Sequence, residues 1–537
     1  MTSVDASAPE QRLAAVIAER DRLAFERDEY RKLYLAMLEQ NRKLELGLLG
    51  QKAEKLSAND AQLAMSLLAT MLAEPPATTP PASVDEDAAE EEPEDNSAGA
   101  NDPGKPRLKR GRKPLPKNLP RVEVRILPPE VEREGTDQYE QIGEEVCEVI
   151  ERRKASLVVV RIVRPKFVRK DRERNAQTQV LTAEAVELPI ERGIAGPGVL
   201  AETIVRRFDD HLPANRQERI WARDGMELSR STICAWHFRL YALIGPLLVA
   251  MWKDALGSPW LATDATNVKV QAPDKCRTGH FWTVIAPERH VLYAYSARHD
   301  SAAVDAILKG YKGHLVADAH VVYDHLFKSG DVIEVSCWAH CRRYFYKALG
   351  SDPERARFAI ALIKGLFDIE GAIANKPPGK RRAIRTRESK PLVDRFFAWC
   401  KEQAPLVLDE TPIARAITYA TNQRQSLERF LGDERLPLHN NASEGALRRQ
   451  AVGRGNWTFL GNNEGGAVNA GFVSLLATCR LHGLEPWAYL RDLLCLLPSW
   501  PVHRVLELAP VHWQKTLQQE DTQRRLAENV FRRVTLE

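Results

Sequence analysis

The sequence predicts a multidomain α+β protein, and three observations lead there. A long heptad-patterned segment opens the chain, strands alternate with helices from residue 257, and helical patterning interrupts and then closes that region. At 537 residues the length suits about three or four domains, and 44% hydrophobic residues allow a large core. The formal charge of +4 excludes nothing by itself. Eight cysteines without a C-x-x-C pair, and no leader-like N-terminus, predict reduced thiols in a cytoplasmic protein. The longest apolar run, 241–252, is too short for a bilayer and contains Gly245-Pro246, so no membrane is expected.

Residues 1–73 read as a helix, with Leu23, Tyr30, Met37 and Leu44 at intervals of seven. That spacing predicts a coiled coil and a homo-oligomer; a solvated amphipathic helix packed on its own domain is the alternative. Residues 74–118 form a linker with six prolines over 74–104 and eight acids without a base over 85–95. Seven bases without an acid follow over 105–117. There, Arg110-Gly111-Arg112-Lys113-Pro114 is close to an AT-hook, whose extended Arg-Gly-Arg core lies in the narrow minor groove of A·T tracts. Arg110, Arg112 and Lys113 are therefore candidate contacts to double-stranded DNA. Residues 119–195 read as a small β-rich module around the Val/Ile run at 156–163.

Residues 196–256 read as three helices, at 199–210, 214–223 and 229–240, with Gly225 in the last turn and Ser229 as a cap. This is a helix-turn-helix pattern, with Arg230 and Ser231 opening the recognition helix. Arg206, Arg207, Arg216, Arg219 and Arg223 supply a phosphate-binding surface; three packed helices without a DNA role are the alternative.

From 257 the element order becomes diagnostic. Strands are expected at 260–270, 280–286 and 291–296, then helix 301–311, strand 314–318, helix 320–328 and strand 332–337. Strands joined by turns suggest an antiparallel meander, and the later alternation with helices suggests a parallel extension. This is the ribonuclease H-like order. The α/β catalytic core spans 257–350, is broken by a helical insertion at 351–435, and resumes at 436–480 before a helical element at 481–537.

That order puts Asp264 on the first strand and Asp318 at the end of the fourth, where open α/β sheets hold ligands. Glu444 lies at a helix start, with Arg448 one turn on and Asn440 or Asn441 as cap. Carboxylates on separate elements can converge on divalent cations and cut and join phosphodiesters. On spacing alone Glu464 and Asp300 are alternative third ligands. The basic run 380–387 is either a DNA grip or a solvated charged face.

The same residues lie in motifs that resemble one family. Thr263-Asp264-Ala265-Thr266, Val316-Ala317-Asp318-Ala319 and Cys337-Trp-Ala-His340-Cys-Arg-Arg343 come first. Asn440-Asn441-Ala-Ser-Glu444-Gly-Ala-Leu-Arg448, Gly453-Arg454-Gly-Asn-Trp457, Gly465-Gly466 and Glu485-Pro486-Trp487 follow. In this order they resemble transposases of the insertion sequence 66 family. The resemblance implies that Asp264, Asp318 and Glu444 are a DDE catalytic triad holding two Mg²⁺ (or Mn²⁺) ions, and it favours Glu444 over Glu464. Arg448, Arg449 and Arg454 become candidate DNA contacts, and Cys337, His340, Asn441 and Trp457 candidate supports of the site.

The implied enzyme binds terminal inverted repeats, cleaves with metal-activated water and joins the freed 3′-OH to target DNA. It would be nucleoid-associated, with accessory proteins of the same element as candidate partners. Two departures stand out. Ala265 follows Asp264 where the family usually has Glu, and in the 119–195 module only Cys147 remains of paired zinc cysteines, so no zinc is expected. A non-catalytic DNA-binding regulator and a ribonuclease H-like nuclease without joining activity are the rival readings.

Overall fold

The computed structural model describes residues 119–153, 156–170 and 179–536, together with residues 19, 20, 22, 115 and 117. The heptad residues Leu23, Tyr30, Met37 and Leu44 and the AT-hook-like Arg110, Arg112 and Lys113 lie outside the described residues. The protein is a mixed α+β structure with two mixed sheets.

The first sheet contains β1 (Arg121–Arg125), β2 (Tyr139–Arg153), β3 (Ser156–Arg169) and β4 (Leu181–Thr182), in the order β1-β3-β2 with β4 also on β3. A strand covered on both faces needs an unbroken apolar run, and β3 supplies one in Leu157 to Val160. Val158 and Val160 face Val530, Phe531 and Val534 from the C-terminal end of the chain. Val159 joins the largest core of the molecule on the other side.

Three helices follow: α1 (Pro197–Phe208), α2 (Ala214–Arg223) and α3 (Arg230–Ala255). Gly225 takes φ +85° in the turn before α3, a conformation that costs glycine nothing, and Ser229 Oγ caps α3 by accepting the Thr232 N–H at 3.2 Å. The expected end of this helix at residue 240 is wrong: α3 continues through Gly245-Pro246 to Ala255. Pro246 deprives the Ala242 carbonyl of its usual donor. The buried stripe of Leu240, Ile244, Leu247, Leu248 and Met251 outweighs that loss. By length and composition α3 could cross a membrane, but this stripe lies in the main core.

The second sheet contains β5 (Trp260–Val270), β6 (Arg277–Ala286), β7 (His290–Ser296), β8 (Gly313–Ala317) and β9 (Val332–Ser336), in the order β7-β6-β5-β8-β9. The first three are antiparallel; β8 and β9 run parallel to β5, with α4 (Ser301–Ile307) between β7 and β8. Side chains alternate between two cores, as the two-residue period of a strand requires. Leu261 and Leu315 enter the core shared with α1–α3, whereas Ala262 and Val316 enter a second one.

That second core is built by α5 (Trp338–Lys347), α6 (Pro353–Ile373), α7 (Lys390–Gln403) and α8 (Pro412–Asn422). The basic run does not form a uniformly solvated face. Arg385 is fully buried, bidentate on Glu370 at 2.7 Å, and donates to the carbonyls of Phe430, Asp433 and Leu436.

The chain returns through α9 (Asn441–Trp457), α10 (Asn463–Leu481) and α11 (Pro486–Leu496). Helix α10 covers the edge strand β7: Ser474 Oγ accepts the Tyr293 N–H at 2.8 Å and Thr478 Oγ1 accepts the Val291 N–H at 3.1 Å. Such hydroxyls satisfy an edge that would otherwise invite another strand. The close approach needs Gly466, where a Cβ would stand 2.6 Å from the Tyr295 ring.

Candidate active site

Strand register alone brings two of the acids together. Trp260, Leu261 and Ala262 of β5 pair in parallel with His314, Leu315 and Val316 of β8. Asp264 lies two residues beyond the last of these pairs on one strand and Asp318 two beyond it on the other. Adjacent strands lie about 4.8 Å apart, so the two acids are neighbours.

Glu444 is brought in by Asn440. This residue occupies the cap position of α9, but its side chain does not cap the helix as expected. Its Nδ2 donates to the Thr263 carbonyl at 2.9 Å, beside Asp264, and its Oδ1 accepts the Ser443 hydroxyl at 2.8 Å. Its backbone N–H donates to Cys337 Sγ at 3.2 Å. One buried amide thus joins β5, the end of β9 and the start of α9, and Glu444 lies one turn further on. Tyr293 adds a second tether, donating its hydroxyl to the Ala446 carbonyl at 2.8 Å.

The acids feel one another. Burial pushes the Asp264 carboxyl up to about 7, and the charges of Asp318 and Glu444 add to the rise. The Ala265 N–H, donating to Asp264 Oδ1 at 2.7 Å, and the Arg343 guanidinium pull the other way. Glu444 Oε1 is buried and accepts no hydrogen bond; His340 Nε2 stands 3.6 Å from it.

Among the described residues no group of three or more His, Cys, Asp or Glu side chains stands ready to hold a metal ion. The donor set suits one, however. The three acids offer oxygen donors, one carboxyl is forced toward its neutral form, and one buried carboxylate oxygen lacks a donor. A hard divalent cation that keeps several waters would relieve the last two conditions without a full protein cage.

The other sequence candidates separate. Cys337 is buried, with its thiol pushed up by burial, and serves as the acceptor for Asn440. Asn441 is exposed, its N–H bonding His439 Nδ1 at 3.3 Å. Arg448 is exposed on the Glu444 helix. Arg449 is not available to a phosphate in this arrangement, because it points inward to Asp209, which also holds Arg480. Arg454 donates to Asn267 Oδ1 at 2.6 Å and to its carbonyl. Trp457 ends α9, thirteen residues from Glu444 or about 20 Å along the axis, and packs in the main core rather than at the acids. Arg230 and Ser231 are exposed at the start of α3.

Sequence reading assigned no role to Arg343, although its spacing from His340 put both on one helical face. The joining role of Asn440 was also missed. Nothing in the local pattern distinguishes an amide that caps its helix from one that ties it to a strand.

Comparison with known proteins bears on this site. A family model described as "Transposase IS66 family" matches residues 192–468, and one described as "IS66 C-terminal element" matches 474–511. A third, "Transposase C of IS166 homeodomain", matches 36–124. The uncharacterized protein y4hP of Sinorhizobium fredii is similar, 31% identical over 432 residues covering 75% of this chain and 77% of that protein. The uncharacterized protein y4qI of the same organism is 29% identical over 425 residues, covering 75% and 78%.

Proposed function

The chain belongs to the IS66 family of transposases, DNA-processing enzymes, and from that premise we propose that its chemistry is centred on Asp264, Asp318 and Glu444. The observation that carries the proposal is the parallel β5–β8 register, which sets Asp264 beside Asp318 while Asn440 draws in the Glu444 helix. The order β7-β6-β5-β8-β9 supports a ribonuclease H-like reading of this sheet. Two divalent cations, Mg²⁺ or Mn²⁺, would be held by these three carboxylates and would supply the Lewis acidity for activating water and stabilising the leaving 3′ oxygen.

The chain's own residues do the rest. Asp264, buried and crowded by like charge, loses its proton readily only when positive charge is near. Arg343 offsets the acids from one side, and His340 flanks the buried Glu444 oxygen from another. The water-poor floor made by Thr263, Asn440 and Ser443 fixes where the carboxylates stand.

DNA contact is assigned to three regions. Helices α1–α3 form the helix-turn-helix of 196–256, with exposed Arg230 and Ser231 at the start of α3. The basic stretch 105–117 lies within the segment that matches the homeodomain description. Arg448 reaches phosphate from the Glu444 helix.

The test uses a duplex carrying the element's own terminal repeat. Asp264→Asn should abolish Mg²⁺-dependent strand cleavage and leave duplex binding intact. Cleavage by that variant at the wild-type rate would refute the assignment. Binding without cleavage by the wild type would favour a regulator, and cleavage without joining a nuclease.

A further inference from the structure

We infer that Tyr419, supplied by the helices between β9 and α9, is a substrate-positioning residue whose hydroxyl donates to a phosphate of the DNA strand held over the three acids. The inference rests on the transposase reading. It gives the inserted helices a part at the site that their basic run does not.

Helix α5 carries His340, Arg343, Tyr344 and Lys347 at intervals of three and four, so they share one face. One end of that face is at the acids, where His340 Nε2 lies 3.6 Å from Glu444 Oε1. One turn further, the Tyr344 ring stacks on the Tyr419 ring of α8, with centroids 4.3 Å apart and planes 19° from parallel. Lys347 Nζ lies 5.6 Å from the Tyr344 ring centroid. Helix α8 is held from behind by buried Ile413, Ala416, Ile417 and Ala420, which fixes the backbone that carries Tyr419.

The stack occupies a face of each ring, so the group Tyr419 has left to offer is its hydroxyl. That hydroxyl has no hydrogen-bond partner among the described residues. Burial first, and then neighbouring groups that include Cys337 and Asp318, raise it far above the ordinary tyrosine range, so it remains a donor. A phenol with a proton to give lies near Asp318 yet bonds no carboxylate. Cations of the same α5 face run outward beside it. An anionic strand crossing from Lys347 past Arg343 to the acids would bring a phosphate oxygen to that proton.

The experiment compares full-length wild type with Tyr419→Phe, Tyr344→Phe and Tyr344→Ala on the terminal-repeat duplex. Tyr419→Phe should lower the single-turnover cleavage rate about ten- to a hundredfold, the size of one hydrogen bond to a charged group at tenfold per 1.36 kcal/mol. Its melting temperature and duplex affinity should stay at wild-type values. Tyr344→Ala should slow the same step by releasing the stacked ring, whereas Tyr344→Phe should not. Methylphosphonate replacement of single phosphates around the cut should erase the difference between wild type and Tyr419→Phe at one position.

Wild-type cleavage by Tyr419→Phe overturns the inference. So does a slowed variant whose defect no methylphosphonate erases, because that marks a purely structural role. A wild-type protein that leaves the duplex uncut instead sinks the transposase reading beneath it.

Discussion

Replacing Asn440 tests whether one amide holds the acids together. Its side chain is fully buried and makes two hydrogen bonds, to the Thr263 carbonyl and from the Ser443 hydroxyl. Asn440→Ala removes both and leaves the Thr263 carbonyl and the Ser443 hydroxyl buried without partners, at about 1–3 kcal/mol each. The expected loss is roughly 2–6 kcal/mol, a large share of a typical domain's about 5–15 kcal/mol. Asn440→Asp should be no better despite its matching shape. It sets a carboxylate oxygen against the Thr263 carbonyl at the 2.9 Å now spanned by a donor. Urea unfolding read by tryptophan fluorescence gives the stability, and single-turnover cleavage corrected for folded fraction gives the activity. Activity should fall further than folding, because Thr263 adjoins Asp264 and Glu444 is one turn along α9. An Asn440→Asp protein within about 1 kcal/mol of wild type that cuts at the normal rate would refute the reasoning.

Two further outcomes are expected. Burial pushes Glu151 up to about 8, although the Arg152, Val199 and Gly198 N–H groups favour its ionised form. A raised folded-state value means that its contribution is full below about pH 4.5 and is lost as pH climbs through about 8. Wild-type melting temperature should therefore decline over that window more steeply than that of Glu151→Gln; parallel curves would contradict it. Arg385→Met should cost about 3–5 kcal/mol by leaving Glu370 without its main partner, with duplex affinity unchanged. Weaker DNA binding at unchanged stability would instead restore the reading of that run as a DNA grip.

The second sheet was legible because each strand carries its own period and is bounded by its own turn signals. The meander, the parallel extension and the positions of Asp264 and Asp318 followed from local pattern, and the register then aligned the two acids. What stayed hidden depends on partners far along the chain. Arg385 looked like one base among several, since only folding reveals Glu370 and three carbonyls around it. Arg449 looked like a phosphate ligand until Asp209, 240 residues away, claimed it. Tyr419 lies in an ordinary amphipathic helix, and nothing in its neighbours announces Tyr344. Helix α3 was cut short because a proline usually ends a helix, and the strength of the buried stripe beyond it cannot be judged from one strand of text.

Asp209 also bears on which parts of the three-helix unit can change independently of the Glu444 helix. Its nearly inaccessible carboxylate closes α1 and grips one arginine from the Glu444 helix and another from α10. Removing that carboxylate would leave the partly buried Arg449 and the more exposed Arg480 without the anion they share. Arg230 and Ser231, exposed at the start of α3, take no part in that grip and can vary without disturbing it.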